Sequence, residues 1–109
     1  MAEWDVEFEH SKADDGSPVL AIGGEIDLAV AQRLAQELDD LIGHADAAGI
    51  VDLSRVSFMD SSGVRELLKA RQSAEQRNVV MILRSPSDSC KHVLQVSGAW
   101  KEFEVQQGS

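Results

Sequence analysis

Absences bound this chain first. It has one cysteine, two prolines, no tyrosine and three histidines among 109 residues. The lone Cys90 cannot close an internal disulfide, which suits a reducing compartment. Basic residues are scarce. Ten Lys and Arg stand against nineteen Asp and Glu, giving a net charge of −9 and a pI near 4.6. Nucleic acid and anionic membrane are poor partners for such a molecule, whereas a basic patch on a protein is attracted to it. The same acidity also serves plain solubility. No stripe of Arg or Lys with aromatics suggests a nucleic-acid surface. No apolar run approaches the roughly 18 residues of a membrane span, and Trp4-Asp5-Val6-Glu7 alternates where a secretory leader would be apolar. These absences predict a cytoplasmic protein with no membrane partner. The length and a hydrophobic content of 43% predict one domain over 1–109 with a single core, its last residues, 106–109, forming a frayed tail.

What is present alternates between two periods. Trp4, Val6 and Phe8 alternate with acidic residues and read as a half-buried strand. Ala13-Asp14-Asp15-Gly16 reads as a turn into a second strand, Val19 to Ile22, paired antiparallel with the first. Gly23-Gly24 reads as the end of that strand, and Asp27 as the N-cap of a helix with Ala31, Leu34, Leu38, Leu41 and Ile42 on one face. Gly43 is its expected C′ residue and His44 to Ala48 a linker. Ile50 to Leu53 is apolar enough for a central strand buried on both sides, within which Asp52 reads as a structural carboxylate. A second helix runs to about Arg77, with Arg71 on its flank and Asn78 as a left-handed stop. Val79 to Leu83 is another central strand. Ser85-Pro86-Ser87-Asp88 opens a third helix with Ser85 as its cap, Cys90, Val93 and Leu94 inward and Gly98 at its end. Phe103 and Val105 suit a last short strand.

The chain is organised around Asp60-Ser61-Ser62-Gly63, where a strand hands over to the helix carrying Val64, Leu67, Leu68 and Ala74. All four residues favour turns or helix starts. Two hydroxyls beside a helix N-terminus are most simply caps. The site also suits a nucleophile, a phosphate loop or a phosphorylated serine. Gly-x-Ser-x-Gly is absent with no histidine nearby, and a single glycine without a Lys-Ser/Thr pair makes a poor phosphate loop. Consecutive βαβ units bring the carboxyl ends of the strands to one edge, so Asp27 and Asp60-Ser61-Ser62 should share it. Paired carboxylates there could do acid–base work or hold Mg²⁺, or could be two N-caps. His10, His44 and His92 are scattered, and Cys90 and His92 do not face each other on a helix, so no zinc site is expected.

Asp52-Leu53-Ser54 followed by Phe58-Met59-Asp60-Ser61-Ser62-Gly63-Val64 resembles the signature of anti-sigma factor antagonists, the soluble members of the STAS domain family. Gly24-Glu25-Ile26-Asp27 is similar to the turn that enters the family's first helix, and the Pro-started third helix ending at Ser97-Gly98 is similar to its third landmark. The resemblance implies an α/β fold, a single STAS-type domain with a mixed four- to five-stranded sheet and helices mainly on one face. It implies a bacterial partner-switching protein, itself no enzyme and needing no cofactor. Unphosphorylated, it would bind an anti-sigma factor that is also a serine kinase, and so free a sigma factor. A serine phosphatase would reverse the phosphorylation. Ser61 matches the phosphoacceptor, with Ser62 as the alternative. Asp27, Asp60, Ser61, Ser62 and Gly63 match the partner-binding segment of a monomer. Trp100 departs from the smaller aliphatic residue usual after Ser97-Gly98-Ala99. Two other readings stay open: a STAS module in another phospho-switched pathway, controlling secretion or a second-messenger enzyme, and a small enzyme or nucleotide binder using Ser61 with Asp27 and Asp60.

Overall fold

The structure, a computed structural model, describes residues 6–107. Trp4, expected on the first strand, and the last two residues lie outside that range. The elements are β1 (Val6–Lys12), β2 (Pro18–Ile26), a 3-10 turn (Leu28–Val30), α1 (Ala31–Gly43), β3 (Ala48–Met59), α2 (Ser61–Gln76), β4 (Val80–Arg84), α3 (Asp88–Val96), a second 3-10 turn (Trp100–Glu102) and β5 (Glu104–Gln106). The strands form one mixed sheet in the order β1-β2-β3-β4-β5, antiparallel at β1–β2 and parallel elsewhere.

The core follows from register. Leu20, Val51, Leu83 and Val105 lie side by side across β2, β3, β4 and β5. The first three are fully buried and join Leu34 and Leu38 of α1 and Leu67 of α2 in one cluster. Right-handed crossovers between neighbouring strands place both helices on this face. Each fully buried leucine contributes about 1.5–3 kcal/mol, so this seam is the main cohesive layer. The opposite face has a smaller apolar strip, Val19 and Ile50, beside Asp52 and Arg84. The expected burial of β3 on both sides is therefore corrected at Asp52, which is half-buried on the face away from α1 and α2. Its Oδ1 accepts from the N–H and hydroxyl of Ser54, and its Oδ2 accepts from Arg84 Nε at 3.0 Å.

The third helix has a different seat. β4 ends at Arg84, level with Asp52, while β3 runs on to Met59. α3 lies beside this overhang. The Ser87 N–H donates to Leu53 O at 3.2 Å and the Ser89 hydroxyl to Ser57 O at 2.9 Å. Cys90 and Leu94 are fully buried beneath it. Burial pushes the Cys90 thiol up, so it stays protonated at neutral pH. Trp100 packs partly buried against the core, with the Lys91 ammonium 5.8 Å from the centre of its ring.

Several element ends differ from the pattern in the sequence, each for a local reason. Gly23-Gly24 does not stop β2. The register shifts around them, Gly24 takes φ +95°, and the strand runs on to Ile26, so the pair is an irregularity that glycine permits. Gly43 is the last residue of α1 rather than its C′. His44 is the C-cap, its Nδ1 lying 2.7 Å from Asp40 O, so the ring occupies a helix-end carbonyl. Ser85 does not cap α3. Its N–H donates to Gln106 O at 2.8 Å and it turns at φ +51°, so the chain is still tied to the sheet edge there. Ser87 takes the cap instead, accepting from the Cys90 N–H. The Ser85 bond to Gln106 O holds Gln106 in β5, which removes it from the expected frayed tail. Asn78 at φ +60° and Gly98 at φ +80° end their helices as expected.

Gly63, in the first turn of α2, is where packing is tightest. A Cβ there would lie 2.6 Å from Met59 Cγ, 2.8 Å from Met59 Sδ and 2.9 Å from Ile26 Cγ2. Gly63→Ala gains about 0.5–1 kcal/mol of backbone preference but overpacks at a cost of about 1–3 kcal/mol. A net loss of about 1–2 kcal/mol in urea denaturation is expected, and a variant as stable as the parent would contradict this packing. Acid stability should depend on Asp52. Burial raises its pKa, but the two Ser54 donors and Arg84 outweigh burial and leave it lowered. A lowered carboxylate contributes stability that is present above its unfolded value, about 3.9, and lost as pH falls through the folded value. Melting temperatures from pH 5 down to 2.5 should fall less steeply in Asp52→Asn than in the parent; matching slopes would remove Asp52 from the acid response.

Candidate functional site

The two turns at the carboxyl edge are built alike, but the expected cap of α1 is corrected: Asp27 caps the 3-10 turn that leads into it, and Val30, at the start of α1 itself, makes no side-chain cap bond. Ile26 and Met59 end β2 and β3 as register neighbours. Asp27 and Asp60 follow them, both in extended backbone, and each carboxylate receives an N–H two residues on. Asp27 Oδ1 accepts from Ala29 at 3.0 Å and Asp60 Oδ1 from Ser62 at 2.8 Å. A carboxylate suits this place because it satisfies a loose donor and meets the positive end of the helix dipole. The two turns are also joined, since the Asp60 N–H donates to Ile26 O at 3.1 Å. Asp27 and Asp60 thus lie on one edge, as strand order required, and each is half-buried.

Ser61 is the first residue of α2 and is exposed; Ser62 is half-buried; Gly63 is buried. The Ser61 hydroxyl makes no hydrogen bond among the described residues. It is exposed next to Asp60 in the chain, on a backbone fixed by the Asp60 cap and the Gly63 contact. Such a group can accept a phosphoryl group from an outside enzyme without disturbing anything packed. The expectation that a serine hydroxyl caps α2 is corrected: Asp60 is the cap, and the Ser62 N–H is the group it satisfies.

Sequence reasoning missed two apolar residues of this edge. Leu28 is 73% exposed and Phe58 48% exposed. Only Phe58 carried a signal. Leu28 stands three residues before Ala31, in step with the α1 stripe, so its spacing reads as core. Phe58 is one residue from Met59, and strand alternation turns it away from the face that Met59 buries. Phe58 is the register partner of Glu25, so the edge combines apolar area with acidic charge. The histidines are less scattered than the sequence suggests. His10 and His44 both line a cleft of about 370 Å³ with Lys12 and Asp40, at the opposite end of the sheet. His10 Nε2 lies 2.6 Å from Glu37 Oε1, and this bond leads the causes that hold the Glu37 carboxyl below its ordinary value. Among the described residues no group of three or more His, Cys, Asp or Glu is arranged to hold a metal ion. Among the described residues no helix is long and apolar enough to cross a membrane.

The cap assignment separates two neighbouring side chains by stability alone. Asp60→Ala should cost about 0.5–2 kcal/mol in urea denaturation, whereas Ser62→Ala should stay within about 0.5 kcal/mol of the parent. The reverse order would return the cap to Ser62.

The comparisons with known proteins agree with one another. The family model for the STAS domain matches residues 10–108. The anti-sigma-F factor antagonist RsfB of Mycobacterium tuberculosis (strain H37Rv) is 36% identical over 62 residues, covering 57% of this chain and 51% of that protein. The chain therefore spans about half the length of that curated relative. The anti-sigma-B factor antagonist of Listeria monocytogenes is 25% identical over 101 residues, covering 93% of this chain and 89% of that protein. Among solved structures, the anti-sigma factor antagonist SpoIIAA of Bacillus, in its unphosphorylated form, superposes with a TM-score of 0.76 at 26% identity, over 94% of this chain and 89% of that one. With the five-stranded mixed sheet, the paired caps and the Asp-Ser-Ser-Gly helix start in place, the chain belongs to the STAS domain family.

Proposed function

We propose that this protein is an anti-sigma factor antagonist switched by phosphorylation of Ser61. Unphosphorylated, it binds an anti-sigma factor that is also a serine kinase, and the sigma factor is freed. The kinase transfers the γ-phosphoryl group of ATP to Ser61 Oγ. The bond to ADP breaks, the Oγ–P bond forms, and the hydroxyl proton leaves to a base on the kinase. A serine phosphatase returns the hydroxyl by hydrolysis. The protein is the substrate of both enzymes, works in the cytoplasm as a monomer and carries no cofactor. The observation that carries this reading is the exposed hydroxyl of Ser61, first in α2, after the cap Asp60 and on the same edge as Asp27. The relatives named above are anti-sigma factor antagonists, and SpoIIAA is known in both unphosphorylated and phosphorylated forms.

Asp27, Asp60, Ser61, Ser62 and Gly63 form the partner-binding edge in this reading. The exposed Leu28 and Phe58 supply apolar area beside them. The switch needs modest energy. A phosphate carries about −1.5 to −2 charges at pH 7 and would stand next to Asp60 on a chain already at −9. A penalty of about 3 kcal/mol weakens binding by roughly 150-fold. The dipole of α2 meanwhile favours the phosphate by about 0.3–1 kcal/mol, so the fold tolerates what the interface does not.

Intact mass and phosphosite mapping on protein from its native host should find one phosphate, on Ser61. Ser61→Ala should fold within about 0.5 kcal/mol of the parent and take no label. Ser61→Asp should fold equally well and bind the kinase on the order of 100-fold more weakly by calorimetry. Label confined to Ser62 would reassign the acceptor, and native protein without any phosphate would sink the switch.

A further inference from the structure

The two serines of the site differ in what stands one helical turn away. Residues four apart on a helix are surface neighbours, with Cβ atoms about 5–6 Å apart. Ser61 therefore faces Arg65, and Ser62 faces Glu66. Arg65 is exposed, and among the described residues it forms no ion pair. Ser61 and Arg65 are both exposed on one stripe of α2, while Val64, Leu67 and Ala70 are buried. Glu66 is different: its side chain is 12% exposed and pairs with Lys69 at 3.5 Å.

We infer that Arg65 is the counter-ion for a phosphate on Ser61, and that Glu66 makes Ser62 a poor place for one. The inference rests on the phosphorylation reading above and adds what sets its position and charge state. A guanidinium can offer two parallel N–H donors to phosphate oxygens, a stronger match than a neutral donor. The need for one is plain from the neighbours. A phosphate on Ser61 has the Asp60 carboxylate beside it in the chain and Asp27 on the adjoining turn. Arg65 opposes that repulsion and folds the phosphate back along α2, away from the loop of Asp27. The modified protein is thereby held as an intact helix start. On Ser62 the phosphate would meet Glu66, which lines the cleft between α1 and α2 and keeps its side chain mostly buried.

Phosphoserine installed genetically at position 61 or 62 of the full chain tests this without any kinase. The second ionisation of the phosphate, followed by phosphorus NMR at low salt, should lie about half a pH unit lower with Arg65 than in Arg65→Gln. Arg65→Lys should recover part of the difference, and about 1 M salt should erase it. The chain phosphorylated at Ser62 should melt about 3 °C below the one phosphorylated at Ser61, and Glu66→Gln should close that gap. Equal ionisation with and without the Arg65 charge overturns the counter-ion, and equal melting of the two phosphorylated chains overturns the role of Glu66. Failure of the switch itself would show differently, as native protein that carries no phosphate.

Discussion

The first turn of α2 has no room to move. Gly63 is pressed against Met59 and Ile26 so closely that one added carbon would overlap both, and the Asp60 N–H is spent on Ile26 O. These two contacts weld the ends of β2 and β3 to the start of the helix. Everything displayed at that edge inherits their rigidity. The Asp60 carboxylate is aimed by them at the Ser62 N–H, and Ser61 is left facing outward. A serine held on a rigid joint reaches a partner at little entropic cost, because its backbone is ordered before binding.

The architecture separates modification from stability. Cohesion comes from Leu20, Val51 and Leu83 under α1 and α2, whereas the edge contributes capping bonds and exposed side chains. Adding two negative charges at the edge therefore changes the field seen by a partner without entering the packed layer. The Asp52–Arg84 pair and its Ser54 donors, farther along the sheet on the other face, complete the picture. A charge within a central strand persists there because both its oxygens are hydrogen-bonded and it is only half-buried.

Much of this was legible in the sequence, and the misses have physical reasons. The helical stripes of α1 and α2, the antiparallel first hairpin, the left-handed Asn78 and the shared edge of Asp27 and Asp60 follow from periodicity and crossover handedness. The resemblance of Asp60-Ser61-Ser62-Gly63 to its family singled out the site. What failed was the choice among equivalent local options. Asp60 and Ser62 are both good caps, and so are Ser85 and Ser87; only the path of the preceding strand decides between them. Gly23-Gly24 looks like a strand end, yet it is an irregularity inside β2, because β3 continues alongside it and offers partners. Strand alternation could have placed Phe58 at the surface, whereas Leu28, three residues before Ala31, matches the buried stripe and its exposure is a property of the assembled edge.

The direction of β1 has a practical consequence. It runs antiparallel to β2, with Val6 opposite Gly24, which is itself level with Val56. Val6 thus lies a short way below Asp27 and Asp60, whereas β5 ends at Gln106, level with Arg84 and Asp52. A fluorophore, affinity tag or sensor-chip linker attached at Val6 would crowd the surface being assayed. The Asp14-Asp15-Gly16 turn, at the far end of the same hairpin, is exposed and is the better anchoring point for immobilising the protein with Ser61 facing solution.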